Sequence, residues 1–313
     1  WFVEGDIKGC FDNIDHQTLI HILTRRIKDQ KFLDLIWKAL RAGYMEGKVS
    51  HNSILGTPQG SIISPILANI YLHEFDVWVD DFITKNQKLG KDGQTRKKVN
   101  PEYTFFVKEL NRIKAGKKRV SPERYAELIR GKISTSSIVH NDPDVIKVKY
   151  VRYADDWLVA IDGPRQLAAK FKEEATEFFH RELKLELSEE KTAIRNARKE
   201  EALFLGTNIT IGSKEDIVKR MKPPRGKTLI HRRLPTSHNT MMRVPIQDIL
   251  KRLRDKGFLD GNNQPQAKLA WIHKEEWEIV EAYSAIMRGY RNYYTFVDNP
   301  RRLAYLQYLL QFS

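Results

Sequence analysis

The amino-acid sequence predicts an α+β fold, in which an antiparallel sheet with packed helices is followed by a helical domain. Three observations support this prediction. Apolar, strand-forming runs flank the adjacent carboxylates Asp155 and Asp156, as in a β-hairpin with the carboxylates at its turn. A second strand-like run begins at Trp1 and ends at Asp6. After Pro245 the apolar residues recur at helical spacing, which predicts helices in the last part of the chain.

The composition predicts a folded, basic protein with a polyanionic partner. The 313 residues are 41% hydrophobic and 30% charged, enough to bury a sizeable core. Lys and Arg outnumber Asp and Glu by 54 to 40, and the net charge of +14 favours nucleic acid as a partner over a merely basic soluble protein. The single cysteine, Cys10, excludes an internal disulfide and a zinc site of paired cysteines. The chain has no run of 18 apolar residues, so no transmembrane helix is expected, and no targeting signal is visible.

The first 83 residues are expected to combine the first strand with helices. A tight turn that contains glycine should follow the strand. Asp15 precedes a helical run of apolar residues and is predicted to cap that helix. A Gly-rich loop over residues 56–60 leads to the pair Ser64-Pro65, which is typical of a helix start. Such a loop offers backbone N–H groups to an anion, although most loops of this composition are only turns.

Two strongly basic stretches interrupt the predicted elements. Residues 84–149 hold 17 Lys and Arg against 7 Asp and Glu, and we expect an insertion with much loop or disorder, above all from Gly90 to Pro101. Residues 217–247 hold eight Lys and Arg, no acid and several prolines, which predicts a linker or an extended arm. Each stretch is either a solvated charged face or a contact for nucleic-acid phosphates, and the concentration of charge favours the contact.

The remaining pattern predicts further helices and one more hairpin. Residues 167–179 have the spacing of an amphipathic helix, and residues 202–211 read as a short hairpin. A longer helix is predicted from Trp277 to Met287, and Tyr and Arg residues interleave from Arg288 to Tyr294. This face can stack bases and pair with phosphates, or it is simply part of a core.

Asp6, Asp155 and Asp156 end separate strand-like segments. Adjacent carboxylates within buried strands are costly because like charges repel at low dielectric constant, and a divalent cation relieves that cost. Mg²⁺ prefers carboxylate oxygens together with substrate phosphates. In phosphoryl transfer, two such ions activate a hydroxyl nucleophile and stabilise the leaving oxygens. The three carboxylates therefore predict a metal-dependent enzyme of phosphoryl transfer.

These motifs, in this order, resemble those of group II intron-encoded reverse transcriptase–maturases. Asp6 with Phe11 resembles the first palm motif of the family. Residues 56–61 with Ser64-Pro65 resemble the second palm motif, and residues 153–156 (YADD) resemble the catalytic hairpin. Residues 187–192 (LSEEKT) resemble the motif that follows the hairpin, and residues 204–206 (FLG) resemble the primer grip. The segment 283–294 (YSAIMRGYRNYY) resembles the thumb-like maturase domain, which favours group II intron proteins over retroviral or telomerase-type relatives. The resemblance covers nearly the whole chain except the basic insertion.

The resemblance implies a reverse-transcriptase palm followed by a helical thumb. It divides the chain into a first part of the palm (1–83), a basic insertion (84–149), the palm with catalytic hairpin and primer grip (150–216), a basic linker or arm (217–247) and an incomplete helical thumb or maturase-like domain (248–313). The implied activity is an RNA-directed DNA polymerase, which uses two Mg²⁺ ions, or Mn²⁺ in their place, to transfer nucleotides to the 3′-hydroxyl of a primer. The implied partners are group II intron RNA, an RNA template, a DNA primer and deoxynucleoside triphosphates, with no membrane. Binding of the intron RNA would assist splicing and intron mobility.

Roles for individual residues also follow from the resemblance. Asp6 and Asp155 would bind the catalytic ions, and Asp156 would support the same site. Phe11 would lie under the sugar and exclude a 2′-hydroxyl, or else it is an ordinary core residue. Three further substrate contacts are implied: Ile7, in a turn that offers N–H groups to the triphosphate, and Gln59 and Gly60 in the Gly-rich loop. Lys191 is either a proton donor to pyrophosphate or a solvated lysine. The primer grip would be formed by Phe204, Leu205 and Gly206. The candidate RNA contacts are basic residues of the arm and of the last helix predicted: Lys219, Arg220, Lys222, Arg225, Lys227, Arg232, Arg233, Arg288 and Arg291.

The fingers segment that precedes the first palm motif in this family is expected to be missing from the chain, as is a DNA-binding or endonuclease extension. We therefore expect the chain alone to extend primers poorly, and to need a fingers-containing segment or a second chain as a partner. We also expect an intracellular location, for which a bacterial cytoplasm, a mitochondrion and a chloroplast are equally suitable.

Two other functions compete with the polymerase. A maturase that only binds structured intron RNA and helps it splice would need no polymerase chemistry, and the two basic stretches and the Tyr/Arg helix support it. A palm-fold nucleotidyl cyclase is a more remote alternative. Gln59 in the Gly-rich loop and the long basic stretches argue against the cyclase.

Overall fold

The computed structural model describes the chain apart from residues 43, 47–48, 52–55, 58–61, 89–97, 136, 140–144, 212–217, 222–228 and 233–239. For residues 44–46, 49–51, 218–221 and 229–232 it describes the backbone alone. The chain forms two compact units, one of Trp1–Asn196 with Lys214–Ser237 and the other of Ala197–Ser213 with His238–Ser313. None of the described helices is both long and apolar enough to cross a bilayer.

The first unit is built on an antiparallel sheet. The strands of this unit are β1 (Phe2–Gly5), β2 (Tyr44–Glu46), β3 (Val49–His51), β4 (Lys147–Tyr153), β5 (Asp156–Asp162) and β6 (Ala193–Arg195), with β9 (Val218–Met221) and β10 (Leu229–Arg232) further along the chain. Four of them form the main sheet in the order β4-β5-β1-β6, while β2 with β3 and β9 with β10 form separate ribbons. The predicted hairpin around Asp155 and the predicted first strand are therefore confirmed, and they are neighbours in one sheet.

The first unit also contains seven of the described helices. They are α1 (Cys10–Asn13), α2 (His16–Thr24), α3 (Gln30–Arg41), α4 (Ser64–Asn86), α5 (Pro101–Lys114), α6 (Pro122–Ser134) and α7 (Arg165–Glu182). As predicted, Asp15 caps α2, since its carboxylate accepts a hydrogen bond of 2.8 Å from the Thr18 N–H. The core lies between the sheet and the helices α4 and α7. The ring of Phe75 in α4 is centred 5.5 Å from that of Trp157 in β5 and 4.4 Å from that of Phe179 in α7.

Helices α5 and α6 lie in the basic insertion, so the expectation of loop or disorder was wrong for residues 101–114 and 122–134. Pro101 and Pro122 stand in the first turn of these helices, where the missing N–H has no helical partner to lose. The side chains of Asn100 and Ser121 cap the two helices. The helices approach closely at Gly131, where a Cβ would lie 2.4 Å from the Phe106 ring. Residues 89–97, the centre of the predicted disorder, lie outside the described residues.

The second unit joins a small sheet to helices. Its elements are the strands β7 (Ala202–Phe204), β8 (Thr207–Ile211) and β11 (Thr240–Arg243) and the helices α8 (Ile246–Asp255), α9 (Glu276–Tyr293) and α10 (Arg301–Gln311). The predicted hairpin at 202–211 is confirmed, and β11 extends it into a sheet of order β11-β8-β7. Thus the predicted arm over 217–247 is partly strand. Leu253, Phe258 and Leu306 are buried in the core of this unit. The predicted fold class, an antiparallel sheet with packed helices followed by a helical unit, is confirmed.

Candidate active site

The end of β1 and the turn of the β4–β5 hairpin lie at the same edge of the main sheet. Gly5, the last residue of β1, pairs with Trp157 of β5. Asp6 follows Gly5 and Asp156 precedes Trp157, so both lie just beyond this pair at the same end of the sheet. A Cβ at Gly5 would lie 2.0 Å from the Trp157 ring, so the residue before Asp6 has to be glycine for the ring to pack there. The structure thus brings together Asp6, Asp155 and Asp156, the three carboxylates singled out in the sequence.

These carboxylates make the edge of the sheet strongly anionic. Burial raises the pKa of Asp156, and the negative charges of Asp155 and Asp6 raise it further. The same field acts on Cys10, whose pKa is raised to about 12 by burial and then by the charge of Asp155. The thiol is therefore protonated and buried, in agreement with its interpretation as a small core side chain.

Lys191 brings a positive charge to this edge. Its Nζ lies 2.9 Å from Oδ2 of Asp6, and this hydrogen bond, together with the charge of Asp6, raises the pKa of Lys191. The segment that carries it is joined to the end of β1, because the Ser188 N–H donates to the Asp6 carbonyl over 2.9 Å. A turn follows in which the Thr192 N–H donates to the Ser188 carbonyl over 2.8 Å. Lys191 therefore lies beside a predicted metal-binding residue, although its side chain is 67% exposed to solvent.

The backbone around Phe11 is tied to the start of the Gly-rich loop. The Thr57 N–H donates to the Phe11 carbonyl over 2.7 Å, and the Gly56 N–H donates to the Ile14 carbonyl over 2.8 Å. On the other side, Nε2 of the buried His16 lies 2.6 Å from the Gly56 carbonyl. Phe11 itself is half-buried and packs against the core of the first unit. The first two palm-like motifs are thus joined through their main chains.

The other predicted substrate contacts divide into two groups. Ile7 as a whole, main chain included, is only 2% exposed and belongs to the core of the first unit. Gln59 and Gly60 lie outside the described residues.

The donor chemistry of the carboxylates fits a hard divalent cation, because Mg²⁺ binds carboxylate oxygens. Within the part of the chain that the structure describes, however, no three His, Cys, Asp or Glu side chains are arranged closely enough to hold an ion by themselves. Mg²⁺ is commonly held by one or two carboxylates together with water and substrate phosphates. The site therefore fits an ion that arrives with a phosphate-bearing substrate better than a closed, all-protein metal cage.

Comparison with known proteins identifies two domains in the chain. A profile described as reverse transcriptase (RNA-dependent DNA polymerase) matches residues 1–93, and a profile described as type II intron maturase matches residues 237–313. The group II intron-encoded protein LtrA of Lactococcus lactis subsp. cremoris is 36% identical over 324 residues, which cover 100% of this chain and 51% of that protein. The chain therefore carries a reverse transcriptase domain and a type II intron maturase domain, and it is similar to group II intron-encoded proteins.

A eukaryotic relative matches the same length of chain. The putative COX1/OXI3 intron 1 protein of Saccharomyces cerevisiae is 37% identical, and the alignment covers 100% of this chain and 37% of that protein. The resemblance inferred from the motifs is thereby confirmed. The chain spans about half the length of LtrA and 37% of the yeast protein.

The hairpin that resembles the primer grip of the family lies in the second unit. Its turn consists of Leu205 and Gly206, with φ of 48° and 66°. Both turn carbonyls accept hydrogen bonds from tyrosines near the end of α9, Leu205 from the Tyr293 hydroxyl and Gly206 from the Tyr294 hydroxyl, the latter over 2.7 Å. The buried Tyr294 therefore supports the hairpin, a role that its helical spacing did not reveal.

The basic residues expected to contact RNA are only partly described. Arg288 and Arg291 are exposed on α9, where Arg291 also hydrogen-bonds Gln307. Of the others, three lie in ribbon strands of which the backbone alone is described (Lys219, Arg220 and Arg232), and four lie outside the described residues (Lys222, Arg225, Lys227 and Arg233).

Sequence reasoning missed a group of side chains behind the catalytic hairpin. Arg152 of β4 donates to the Ala154 carbonyl in the hairpin turn and to Asp76 of α4, and Tyr150 also donates to Asp76. Nothing in the spacing of these residues links a helix position to the hairpin, because the partners are more than 70 positions apart. The one available sign was the charge of Arg152 within a run of strand-forming residues.

Proposed function

We propose that the chain carries the catalytic centre of an RNA-directed DNA polymerase, which extends a primer 3′-hydroxyl on an RNA template. The observation that carries this proposal is the mutual influence of three carboxylates at one edge of the sheet, where burial and the charges of Asp155 and Asp6 raise the pKa of Asp156. Each of these charges repels the others, so the arrangement is unfavourable for a sheet edge that has only a structural role. A divalent cation with a triphosphate is the ligand class that such a site suits best.

In this proposal Asp6 and Asp155 bind the ions, and Asp156 supports them. Bound Mg²⁺, or Mn²⁺ in its place, would supply Lewis-acid activation of the primer hydroxyl and charge stabilisation of the leaving pyrophosphate. Lys191 is the proposed proton donor to pyrophosphate: its Nζ lies 2.9 Å from Oδ2 of Asp6, and its raised pKa keeps it protonated. Phe11, whose carbonyl is fixed by the Thr57 N–H, would exclude ribonucleotides by size.

The same chain is proposed to bind group II intron RNA and so to assist splicing and intron mobility. The exposed Arg288 and Arg291 of α9 and the basic insertion around α5 and α6 are the proposed contacts. The division into palm, insertion, palm, arm and thumb, at the boundaries derived from the sequence, remains part of this proposal.

Replacement of Asp155 by Ala tests the polymerase proposal. Primer extension on an RNA template with Mg²⁺ should fall by at least about a hundredfold, because a metal-binding carboxylate is lost. The matched control is Asp162→Ala, an exposed aspartate at the far end of β5 from the hairpin turn, which should retain the wild-type rate. Extension that is unchanged by Asp155→Ala would refute the proposal.

A binding measurement covers the case in which the isolated chain turns over slowly. Mn²⁺ binding followed by electron paramagnetic resonance, with a deoxynucleoside triphosphate present, should weaken in Asp155→Ala and not in Asp162→Ala. Equal affinity in both variants would contradict the assignment of Asp155 as a metal-binding residue.

The role in RNA binding has a separate test. Affinity for intron RNA should fall steeply as salt increases, because phosphate contacts release counterions. Changing both Arg288 and Arg291 to Gln should lower the affinity and reduce the steepness, whereas Arg181→Gln, an exposed arginine of the first unit, should not. A flat salt dependence would exclude these phosphate contacts. Splicing that survives Asp155→Ala would favour a maturase that needs no polymerase chemistry.

A further inference from the structure

The turn of the catalytic hairpin is held in a conformation that its residue does not favour. Tyr153 pairs with Asp156, which leaves Ala154 and Asp155 as a two-residue loop. Ala154 has a φ of 53°, in the left-handed region. This region is unfavourable for a residue with a Cβ, and short hairpin turns usually place glycine, asparagine or aspartate there. A strained residue of this kind persists only where its surroundings determine the conformation.

The group that determines it is the guanidinium of Arg152. Its Nη1 donates to the Ala154 carbonyl over 2.8 Å, directly within the turn. The other two nitrogens bind Asp76 of α4, Nε to Oδ1 over 2.7 Å and Nη2 to Oδ2 over 2.6 Å. The Arg152 side chain is only 10% exposed, so these bonds are shielded from water. One planar group therefore joins the turn to a helix of the core.

The anchor for this guanidinium is itself fixed. Asp76 also accepts a hydrogen bond of 2.7 Å from the Tyr150 hydroxyl. Asn69, about two turns earlier on α4, accepts a longer one of 3.2 Å from Nη1 of Arg152. Burial acts to raise the pKa of Asp76, but the hydrogen bonds from Arg152 and Tyr150 outweigh it and the pKa is lowered. Asp76 is therefore ionised at neutral pH.

We propose that Arg152 is a positioning residue for the polymerase reaction: it fixes the Ala154 carbonyl relative to α4 and thereby sets the orientation of the adjacent Asp155 carboxylate. This inference rests on the function proposed above. The geometry requires arginine, because its planar fork binds both oxygens of Asp76 and still has a nitrogen for Ala154. A lysine would keep the charge but not the three-way geometry.

The test compares Arg152→Lys with the double variant Arg152→Lys/Ala154→Gly. The single variant should lower kcat and Mn²⁺ affinity by about 10–100-fold, the usual effect of removing a group that orients a metal ligand. KM for the primer–template should change little, since Arg152 does not face that substrate in the proposal. Glycine at position 154 accepts the left-handed conformation without strain, so the double variant should recover much of the loss. Arg181→Lys, on the exposed face of α7, controls for the change of residue type.

Hydrogen exchange gives a measurement that needs neither turnover nor metal. Amides of residues 153–157 should exchange faster in Arg152→Lys and return towards the wild-type rate in the double variant. The inference would be overturned if Arg152→Lys had the hydrogen exchange and the Mn²⁺ affinity of the wild type. It would also be overturned if Arg152→Lys, with unchanged thermal stability, had a defect that the added Ala154→Gly change did not relieve. If Asp155→Ala abolishes extension while Arg152→Lys has no effect, this inference fails and the polymerase proposal stands. If Asp155→Ala has no effect, the polymerase proposal fails first.

Discussion

Gly56 is the position where one added methyl group should separate the first two palm-like motifs. Its φ is +81°, and a Cβ there would lie 2.6 Å from the Asp12 carbonyl oxygen and 2.7 Å from that of Phe11. Both neighbours are backbone atoms of α1 and cannot rotate away. Gly56→Ala should therefore both strain its own backbone and displace the short helix that carries Phe11.

The magnitude follows from these two effects. The left-handed conformation costs alanine roughly 1–2 kcal/mol relative to glycine. Overpacking against a fixed neighbour typically costs a further 1–3 kcal/mol or so. We therefore expect Gly56→Ala to lower the free energy of unfolding by about 2–5 kcal/mol. Gly116 offers a matched control, because its φ is +71° but nothing lies within 4 Å of its Cβ position, so Gly116→Ala should cost only about 1–2 kcal/mol.

Urea denaturation of the two variants separates strain from the close contact. The functional counterpart is the preference for deoxynucleotides over ribonucleotides in primer extension. It should decrease in Gly56→Ala, because Phe11 shifts, and stay unchanged in Gly116→Ala. Equal stabilities of the two variants, or an unaltered sugar preference in Gly56→Ala, would refute the reasoning that Gly56 fixes α1.

Three further predictions concern charges and a hydrogen bond. Asp156→Asn should raise the free energy of unfolding at pH 7 in metal-free buffer, because burial and the charges of Asp155 and Asp6 disfavour its ionised form, as its raised pKa shows; a loss of stability in urea would contradict this. The pKa of Asp76 is lowered from 3.8, so its stabilising contribution is present above about pH 4 and is lost as the pH falls through the lowered pKa. Asp76→Asn should accordingly be less stable than wild type at pH 7 and approach it in acid, and a constant difference from pH 7 to pH 2 would exclude that linkage. Tyr294→Phe removes a buried hydrogen bond to the Gly206 carbonyl and should lower the free energy of unfolding by about 1–2 kcal/mol. Tyr308→Phe, at an exposed tyrosine, should leave the free energy of unfolding nearly unchanged. Equal thermal stabilities of the two variants would refute the conclusion that Tyr294 supports the hairpin.

Local patterns in the sequence predicted most of the fold. The strand before Asp6, the hairpin around Asp155 and the cap at Asp15 each depend on residues close together in the chain, and all three are present. Helices α5 and α6 were missed because the expectation for the insertion depended on its high charge, which exposed helices share with loops.

Contacts between distant residues could not be predicted in this way. The bond from Lys191 to Asp6 joins positions 185 apart, and that from Arg152 to Asp76 joins positions 76 apart. Only the folding of β1, β4 and α4 into one unit creates them. The three carboxylates were found from sequence because each ends a strand, whereas the residues that orient them carry no comparable local sign.

The packing of Trp157 against Gly5 restricts how relatives of this chain can diverge. The indole occupies the space that any side chain at position 5 would need, only 2.0 Å from where a Cβ would begin. A larger residue at position 5 is therefore expected to be tolerated only when a smaller residue replaces Trp157. The two positions should covary across homologous sequences, and the residue that precedes the first carboxylate should be among the slowest to change.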